Sequence, residues 1–242
     1  MAADTAAHVV VGDLEALDLD PEDAHHLSSV LRLRPGEAVG ATDGRGGYVR
    51  CEWSAGRLSA VSEVVVAPPP RPRVTVGFPP VKGDRPEWAV QKLTELGVDR
   101  IVLLSSARTV VRWEGPRLVS HLARLSRVAR AAVMQSRQVW LPSIEGVLEL
   151  ASFVAGRGAG GQGGEGAGGV AVADAGGGPL GAEVHTVLVG PEGGWSDEER
   201  ARMVAGPAPV EVLGLGPSVL RTETAAVAAG VLLTARRAGV IG

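Results

Sequence analysis

The sequence has little sulfur and few aromatic rings, and both shortages narrow the possible classes of protein. Cys51 is the only cysteine, so an intramolecular disulfide is excluded and nothing indicates an oxidising compartment. The aromatic residues are five Trp, two Phe and one Tyr, too few for a broad base-stacking platform. No clustered Cys, His and Asp residues indicate a metal site, and no Ser-His-Asp arrangement stands out.

Long apolar runs and a basic net charge are also missing. No apolar segment approaches the roughly 18–20 residues that a membrane helix needs. The start MAADTAAHVVVGD lacks the basic and apolar regions of a secretory signal. We therefore expect a soluble, cytoplasmic protein without a membrane partner. The formal net charge is −3, so any binding to nucleic acid must come from a local basic patch.

The pattern of the chain changes at a proline-rich stretch, APPPRPR, residues 67–73. Before it, short β-like runs alternate with Gly and Asp turns, which predicts a small barrel or curled sheet with one helix at PEDAHHLSSVLRL. After it, strands alternate with helices, which predicts a largely parallel sheet covered on both faces. We expect an α/β protein with domains at 1–67 and 74–242 and a linker at 68–73. The Gly-rich stretch at 156–169 is interpreted as a flexible surface insertion.

Two helices after the linker have distinctive residues. In DRPEWAVQKLTELG, Asp84 and Glu87 resemble a capping pair, and Gly97 is a plausible C-terminal stop. The next helix is longer and carries a basic stripe, which is either a solvated face whose Arg stems cover the core edge or a contact surface for a phosphate backbone. The stripe contains Arg117, His121, Arg124, Arg127 and Arg130.

Two glycine-rich turns follow apolar runs. In LVGPEGGWSDEE, residues 188–199, Ser196 and Glu199 form a capping box, so the turn is either a tight strand-to-helix connection or a ligand loop. The stretch LGLGPSVLRTETAAVAAG, residues 213–230, repeats this arrangement. Because the carboxyl ends of parallel strands meet at one edge of a sheet, both loops, with a third at DAGGGP, would surround a flat, mostly apolar ligand such as an adenosine.

Both turns closely resemble the signature of the RsmE family, SPOUT-class methyltransferases that act on N3 of a uridine in small-subunit (16S) ribosomal RNA. The resemblance continues, in order, in HHLSSVLRLRPGE, KGDRPEWAVQKLTELGV and QSRQVWLP. It implies an N-terminal PUA-like β-barrel that binds RNA and a C-terminal SPOUT α/β domain with a parallel sheet and a trefoil knot. It also implies a homodimer that holds S-adenosylmethionine in the knot, and small-subunit ribosomal RNA or the assembled subunit as substrate.

The resemblance implies roles for individual residues. Arg221 would face the methyl-transfer region and orient the uracil or stabilise its developing charge; an ion pair with Glu223 is the other interpretation. Glu192 is a candidate proton acceptor, or it holds its own loop through backbone N–H groups. The cofactor-binding residues would be Gly190, Pro191, Glu192, Gly193, Leu213, Gly214, Leu215, Ser218, Val219 and Leu220.

The RNA contacts implied by the resemblance are basic and amide side chains. They are His25, His26, Arg32, Arg34, Lys82, Arg85, Gln91, Lys92, Gln135 and Arg137. The two histidines could instead cap or pack, and Arg34 could simply be solvated.

The sequence departs from the family pattern in two places. His8 stands where the family usually has an Arg, and AAVMQS, residues 131–136, lacks the acidic residue of the family's EAAEQS. Two alternatives to the uridine-N3 enzyme stay open. One is a SPOUT enzyme acting on another RNA or atom, and the other is a non-catalytic RNA-binding or ribosome-assembly factor.

Overall fold

The computed structural model of the protein describes residues 4–156, 168–205 and 210–242. The chain forms two compact units, of which the first combines Met1–Pro69 with Ala129–Leu141 and the second combines Pro70–Val128 with Pro142–Gly242. Residues 157–167, most of the Gly-rich insertion, lie outside the described residues, so the interpretation of that stretch stays a prediction.

The first unit is built on a mixed five-stranded sheet. Four strands follow one another across it: β1 (Ala7–Val10), β2 (Ala38–Thr42), β3 (Gly47–Ser54) and β4 (Arg57–Ala60). A short β5 (Val65–Val66) pairs with β3. The β1 and β2 strands are parallel, and the other neighbours are antiparallel. Between β1 and β2 lies the predicted helix, as α1 (Pro21–His25) followed by a π-helical turn at His26–Val30.

The second segment of this unit, Ala129–Leu141, completes its core. Met134 packs against the buried apolar cluster of the sheet. Arg130 forms an ion pair with the buried carboxylate of Asp23, and its guanidinium also donates to the Val10 carbonyl at 2.7 Å. A buried carboxylate is costly unless it is paired, so Arg130 is part of what makes this unit stable.

The second unit contains a six-stranded sheet in which every neighbouring pair is parallel. In order across the sheet its strands are β11 (Glu211–Leu213), β9 (Gly169–Gly178), β10 (Val184–Val189), β6 (Thr75–Phe78), β7 (Arg100–Ser105) and β8 (Ser143–Glu149). In β7 the run from Ile101 to Leu104 is fully buried, as expected where both faces of a parallel sheet are covered. The predicted parallel α/β architecture is confirmed.

Five further helices complete the described chain: α2 (Arg85–Glu95), α3 (Gly115–Ser136), α4 (Leu150–Gly156), α5 (Asp197–Ala205) and α6 (Thr222–Arg237). Helix α6 packs against α2, β6 and β10, whereas α4 packs against α5 and β8. The helices α2 and α6 approach closely at Gly230, where a Cβ atom would lie 2.6 Å from Leu93 Cδ2. No helix in the described ranges is long and apolar enough to cross a membrane.

Helix α2 starts differently from the capping pair that the sequence suggested. Asp84 is the N-cap residue but makes no side-chain capping hydrogen bond. Glu87 is buried, and its Oε1 lies 2.9 Å from Arg124 Nε of α3. The capping prediction is therefore wrong, because the Glu87 carboxylate pairs with an arginine instead. The C-terminal stop is confirmed, since Gly97 has a φ of +82°.

Candidate functional site

The two glycine-rich loops follow β10 and β11. The third loop predicted at DAGGGP is wrong, because residues 174–178 belong to β9 and only Pro179 lies beyond it. Because β9, β10 and β11 are adjacent and parallel, their carboxyl ends lie at the same edge of the sheet. We call this the carboxyl edge. Two hydrogen bonds connect these segments there. Thr222 Oγ1 donates to the Gly190 carbonyl at 3.1 Å, and Gly214 N donates to the carbonyl of Gly178, the last residue of β9, at 2.9 Å.

A buried tryptophan packs against the loop after β10. Trp195 is buried, its Nε1 donates to the Ala173 carbonyl at 3.3 Å, and a Cβ atom on Gly190 would lie 3.1 Å from its ring. The same loop is also held by Arg108, whose Nη1 donates to the Gly193 carbonyl at 2.8 Å. The loop is therefore held through its backbone, while the side chain of Glu192 is exposed.

The predicted capping box at the start of α5 is confirmed. Ser196 N donates to Glu199 Oε2 at 2.8 Å, and Glu199 N donates to Ser196 Oγ at 3.2 Å. The other oxygen of Glu199 accepts from Ala107 N at 2.8 Å. The buried Glu199 carboxylate thus also ties the loop after β7 to the start of α5.

The loop after β11 leaves apolar side chains outside the core. Leu213 is buried, but Leu215 and Leu220 are half-buried, and Val219 is fully exposed at 100%. Gly216 has a φ of +116°, a conformation that only glycine adopts easily, and a Cβ atom there would meet nothing within 4 Å. Ser218 is exposed. The loop offers apolar side chains and open backbone to a ligand.

Arg221 and Glu192, the predicted catalytic residues, are both exposed at this edge. The alternative role of Arg221, an ion pair with Glu223, is not what the structure shows. The carboxylate of Glu223 is buried and lies 3.5 Å from the Nε of Arg85 instead. The Arg221 guanidinium is therefore left exposed at the carboxyl edge, two residues from that carboxylate.

Four of the predicted RNA-contact residues lie in α2 or just before it. Lys82 and Gln91 are exposed, and Arg85 reaches Glu223 as described. Lys92 is half-buried and bonds to both carboxylate oxygens of Glu95 at 2.9 and 2.8 Å. This pairing holds the Lys92 ammonium within its own helix.

The other six RNA-contact residues belong to the first unit. His25, His26, Arg32, Arg34 and Gln135 are exposed, and Arg32 adopts a left-handed φ of +53°. Ser29 Oγ lies 3.3 Å from the His25 ring, so this histidine has a local partner. Arg137 is half-buried with a φ of +57°, and its guanidinium donates to Thr5 Oγ1 at 3.5 Å.

Both departures from the family pattern fall inside the first unit. His8 is buried, and its Nε2 lies 2.8 Å from the Gln138 carbonyl. Burial and the nearby Arg137 cation lower the pKa of His8, although the hydrogen bond to Gln138 opposes them. The imidazole is therefore neutral at pH 7 and cannot replace the cationic Arg. In AAVMQS, Met134 packs against the core.

The basic stripe of α3 makes contacts with protein at several positions. Arg124 pairs with Glu87 and Arg130 with Asp23, while the His121 ring stacks on Trp113 at a centroid distance of 3.9 Å. Arg117 and Arg127 are exposed. These contacts favour the interpretation of the stripe as a face whose arginines cover the core edge.

A cavity of about 1040 Å³ lies at the carboxyl ends of β7 and β8, with Ser106, Trp113, Leu150 and Glu199 in its walls. None of the predicted cofactor residues is among the described residues that line it. Cavity size alone does not identify the cofactor site. The hydrogen bonds above lie at the ends of β9, β10 and β11, whereas β7 and β8 are separated from these strands by β6 in the strand order.

A metal centre and a reactive thiol both lack support in the described ranges. No group of three or more His, Cys, Asp or Glu residues there could hold a metal ion. Cys51 is buried in the first unit, and burial raises the pKa of its thiol to about 11. It therefore remains a protonated core residue.

Comparison with known proteins identifies the family. A profile described as an RNA methyltransferase domain matches residues 68–234, and one described as an RNA methyltransferase PUA domain matches residues 19–60. Ribosomal RNA small subunit methyltransferase E of Mycobacterium bovis is 36% identical over 227 residues, which cover 87% of this chain and 83% of that protein. The chain belongs to the RsmE family.

Solved structures agree with the RsmE assignment. A probable rRNA-methyltransferase from Porphyromonas gingivalis is 27% identical with a TM-score of 0.75, covering 97% of this chain and 100% of that one. A candidate methyltransferase from Legionella pneumophila, in complex with the cofactor SAM, is 25% identical with a TM-score of 0.73, covering 95% and 97%. The resemblance inferred from the quoted sequence stretches is confirmed.

Proposed function

We propose that the protein is an S-adenosylmethionine-dependent methyltransferase that modifies N3 of a specific uridine in small-subunit ribosomal RNA. The observation that carries the proposal is the hydrogen bond from Thr222 to Gly190, which holds LRTETAA against GPEGG at the carboxyl edge. Membership of the RsmE family supports the reaction class, and the Legionella relative binds SAM.

The two loops have the features that an adenosyl group requires. Leu215, Val219 and Leu220 expose apolar side chains that suit a flat purine, and Gly216 leaves open space beside its backbone. Small-molecule sites are mostly apolar with a few polar groups that fix orientation. The residues expected to hold the cofactor are therefore Gly190, Pro191, Glu192, Gly193, Leu213, Gly214, Leu215, Ser218, Val219 and Leu220. A trefoil knot around this site is part of the proposal.

S-adenosylmethionine, when bound, supplies a methyl group that passes to N3 as the carbon–sulfur bond breaks and the sulfur keeps the bonding electrons. Because N3 of uridine carries a proton, it becomes a good nucleophile only as that proton leaves. The exposed guanidinium of Arg221 can donate hydrogen bonds to a uracil oxygen and stabilise the negative charge that develops on the ring. Glu192 is the proposed proton acceptor, and an unchanged pH–rate profile in Glu192→Gln would assign it to the loop instead.

RNA binding is proposed for exposed cations and amides in both units. The matched PUA profile contains His25, His26, Arg32 and Arg34, whose side chains are all exposed. Lys82, Arg85, Gln91 and Lys92 would act from α2 and the residues just before it, and Gln135 and Arg137 from the end of α3. Domain limits of 1–67 and 74–242 around a linker at 68–73, and a homodimer, belong to the same proposal.

The direct test uses purified protein, S-adenosylmethionine and small-subunit ribosomal RNA, either naked or as assembled subunits, from cells that lack this methylation. Calorimetry measures cofactor binding, and mass spectrometry of nuclease fragments locates the methyl group. A methyl group on uridine N3 supports the proposal. A methyl group on another atom or RNA would assign a different SPOUT reaction, and absence of cofactor binding would leave a non-catalytic RNA-binding factor.

Replacement of Arg221 tests its role in the reaction. We expect Arg221→Ala to lower kcat by roughly 100-fold, because removal of one donor to a developing anion has an effect of that size. The dissociation constant for S-adenosylmethionine should not change. The control is Arg57→Ala, which removes an exposed cation from β4 of the first unit. Full turnover by Arg221→Ala would remove this residue from the mechanism.

A further inference from the structure

Two glutamates near the carboxyl edge are buried with only half of their carboxylate paired. Glu87 in the first turn of α2 and Glu223 in the first turn of α6 have side chains only 11% and 10% exposed. In each, Oε1 faces an arginine, whereas Oε2 is buried with no hydrogen-bond partner among the described residues. A buried carboxylate oxygen without a donor destabilises the folded state.

Only Glu223 lies within the candidate site. It follows Thr222, whose hydroxyl group bonds to Gly190, and Arg221, the proposed catalytic cation. Its partner Arg85 begins α2, which follows β6, and β6 is the parallel neighbour of β10. The Arg85 side chain is 38% exposed, so it is not enclosed by the protein as the Glu223 carboxylate is.

The geometry of the pair is loose. The distance of 3.5 Å from Arg85 Nε to Glu223 Oε1 is long for a charge-assisted hydrogen bond. A guanidinium and a carboxylate usually close with two parallel N–H···O bonds. Here Arg85 makes one long contact with Glu223 Oε1, and Glu223 Oε2 has no hydrogen-bond partner among the described residues.

We infer that Glu223 is a positioning residue for the proposed methyl transfer, because its carboxylate aims the guanidinium of Arg85 at the uracil ring. The inference rests on the proposed function and adds a second cation to it. As the N3 proton leaves, negative charge spreads to the uracil oxygens on both sides of N3. With Arg221 at one oxygen and Arg85 at the other, both ends of the developing anion meet a fixed donor. When the substrate orders Arg85, Oε2 of Glu223 accepts a second hydrogen bond from its guanidinium.

The test compares two isosteric variants of buried glutamates. Glu223→Gln removes the charge that orients Arg85, so kcat should fall by roughly 10- to 100-fold while the dissociation constant for S-adenosylmethionine stays the same. Glu87→Gln is the matched control, since Glu87 is equally buried and half-paired but faces Arg124. It should keep the wild-type kcat. An equal loss of kcat in both variants, or none in Glu223→Gln, would overturn the inference.

Two further readouts separate positioning from structural support. Arg85→Ala should lower kcat, and the double variant with Glu223→Gln should be no slower than Arg85→Ala alone, because both remove the same interaction. The ratio of the wild-type kcat to the kcat of Glu223→Gln should become smaller at high pH, because N3 of uridine then ionises without help from the protein. If Glu223→Gln does not fold, a wild-type kcat in Arg85→Ala would overturn the inference by itself. If the wild-type protein methylates no small-subunit RNA, the proposed function itself fails.

Discussion

At the carboxyl edge, two glycines allow the backbone of β9 to contact the backbone of the loop after β11. The Gly214 backbone lies directly against Gly177, so a Cβ atom on either glycine would overlap backbone atoms of the other residue or its neighbour. Gly214 N also donates to the Gly178 carbonyl at 2.9 Å. The end of β9 and the loop after β11 therefore meet through backbone alone. A side chain at this point would force them apart, because backbone atoms have no rotamer with which to avoid it.

Gly214→Ala should therefore weaken cofactor binding. We expect the dissociation constant for S-adenosylmethionine to rise by about tenfold, equivalent to ~1.4 kcal/mol, because the loop that carries Leu215 and Leu220 must shift. Calorimetry measures this directly. Gly12→Ala is the control, since this glycine lies in the first unit and its Cβ atom would meet nothing within 4 Å, so the affinity should stay unchanged. Equal affinities in both variants would contradict the proposed position of the cofactor.

The sequence does not indicate which charged groups at this edge pair with each other. Arg221 and Glu223 are close in the chain, yet the structure pairs Glu223 with Arg85. Residues two apart at a helix start do not face each other, whereas α2 and α6 pack together. Arg108 and Thr222 also escaped the sequence-based prediction, because neither contact to the loop after β10 follows from a local motif.

At the scale of elements, apolar runs predicted the C-terminal strands well. GVAVADA, HTVLVG and PVEVLGLG lie at β9, β10 and β11. The strand predicted at QVWLPSI is displaced, since β8 begins at Ser143. Helix α4 was missed, because its short apolar sequence LASFVAG fits a strand as well as a helix. The capping box at Ser196 was predictable because its spacing is a local signal.

The buried carboxylate of Glu199 should contribute more to stability than an ordinary helix cap. Glu199→Ala removes partners from two backbone N–H groups, those of Ser196 and Ala107, so we expect a loss of about 2–4 kcal/mol in the free energy of unfolding. Ser196→Ala loses one capping bond and should cost about 1 kcal/mol. Urea denaturation measures both. Glu52→Ala, at an exposed position of β3 in the first unit, should change little, and an equally small effect of Glu199→Ala would contradict this account.

At the scale of the whole molecule, a net charge of −3 is combined with local groups of exposed cations. The family and the parallel sheet were predictable because co-linear motifs and strand–helix alternation are written along the chain. The membership of Ala129–Leu141 in the first unit was not predictable. Its contacts with β1 and with Asp23 join residues more than 100 positions apart, and such contacts leave no periodicity in the sequence.

RNA affinity should depend on salt through the cations of the first unit. Replacement of Arg32 and Arg34 by Gln should reduce the slope of log affinity against log salt concentration by about 1.5, because each phosphate contact contributes about 0.7–0.9. The measurement is a binding series with a small-subunit ribosomal RNA fragment. Arg57→Gln, at an exposed cation on β4 outside the predicted contacts, should leave the slope unchanged. An unaltered slope after loss of both arginines would exclude them from the RNA surface.

The first unit cannot be released from the protein by a single cut. A fragment that stops at Pro69 would keep all five strands but lose Arg130, the partner of the buried Asp23 carboxylate, and Met134, which covers part of its core. It would also lose the Val139 carbonyl that accepts from Gly46 N at 2.8 Å. Any transfer of this unit into another protein must therefore include the thirteen residues Ala129–Leu141, which follow Pro69 only after most of an intervening α/β segment.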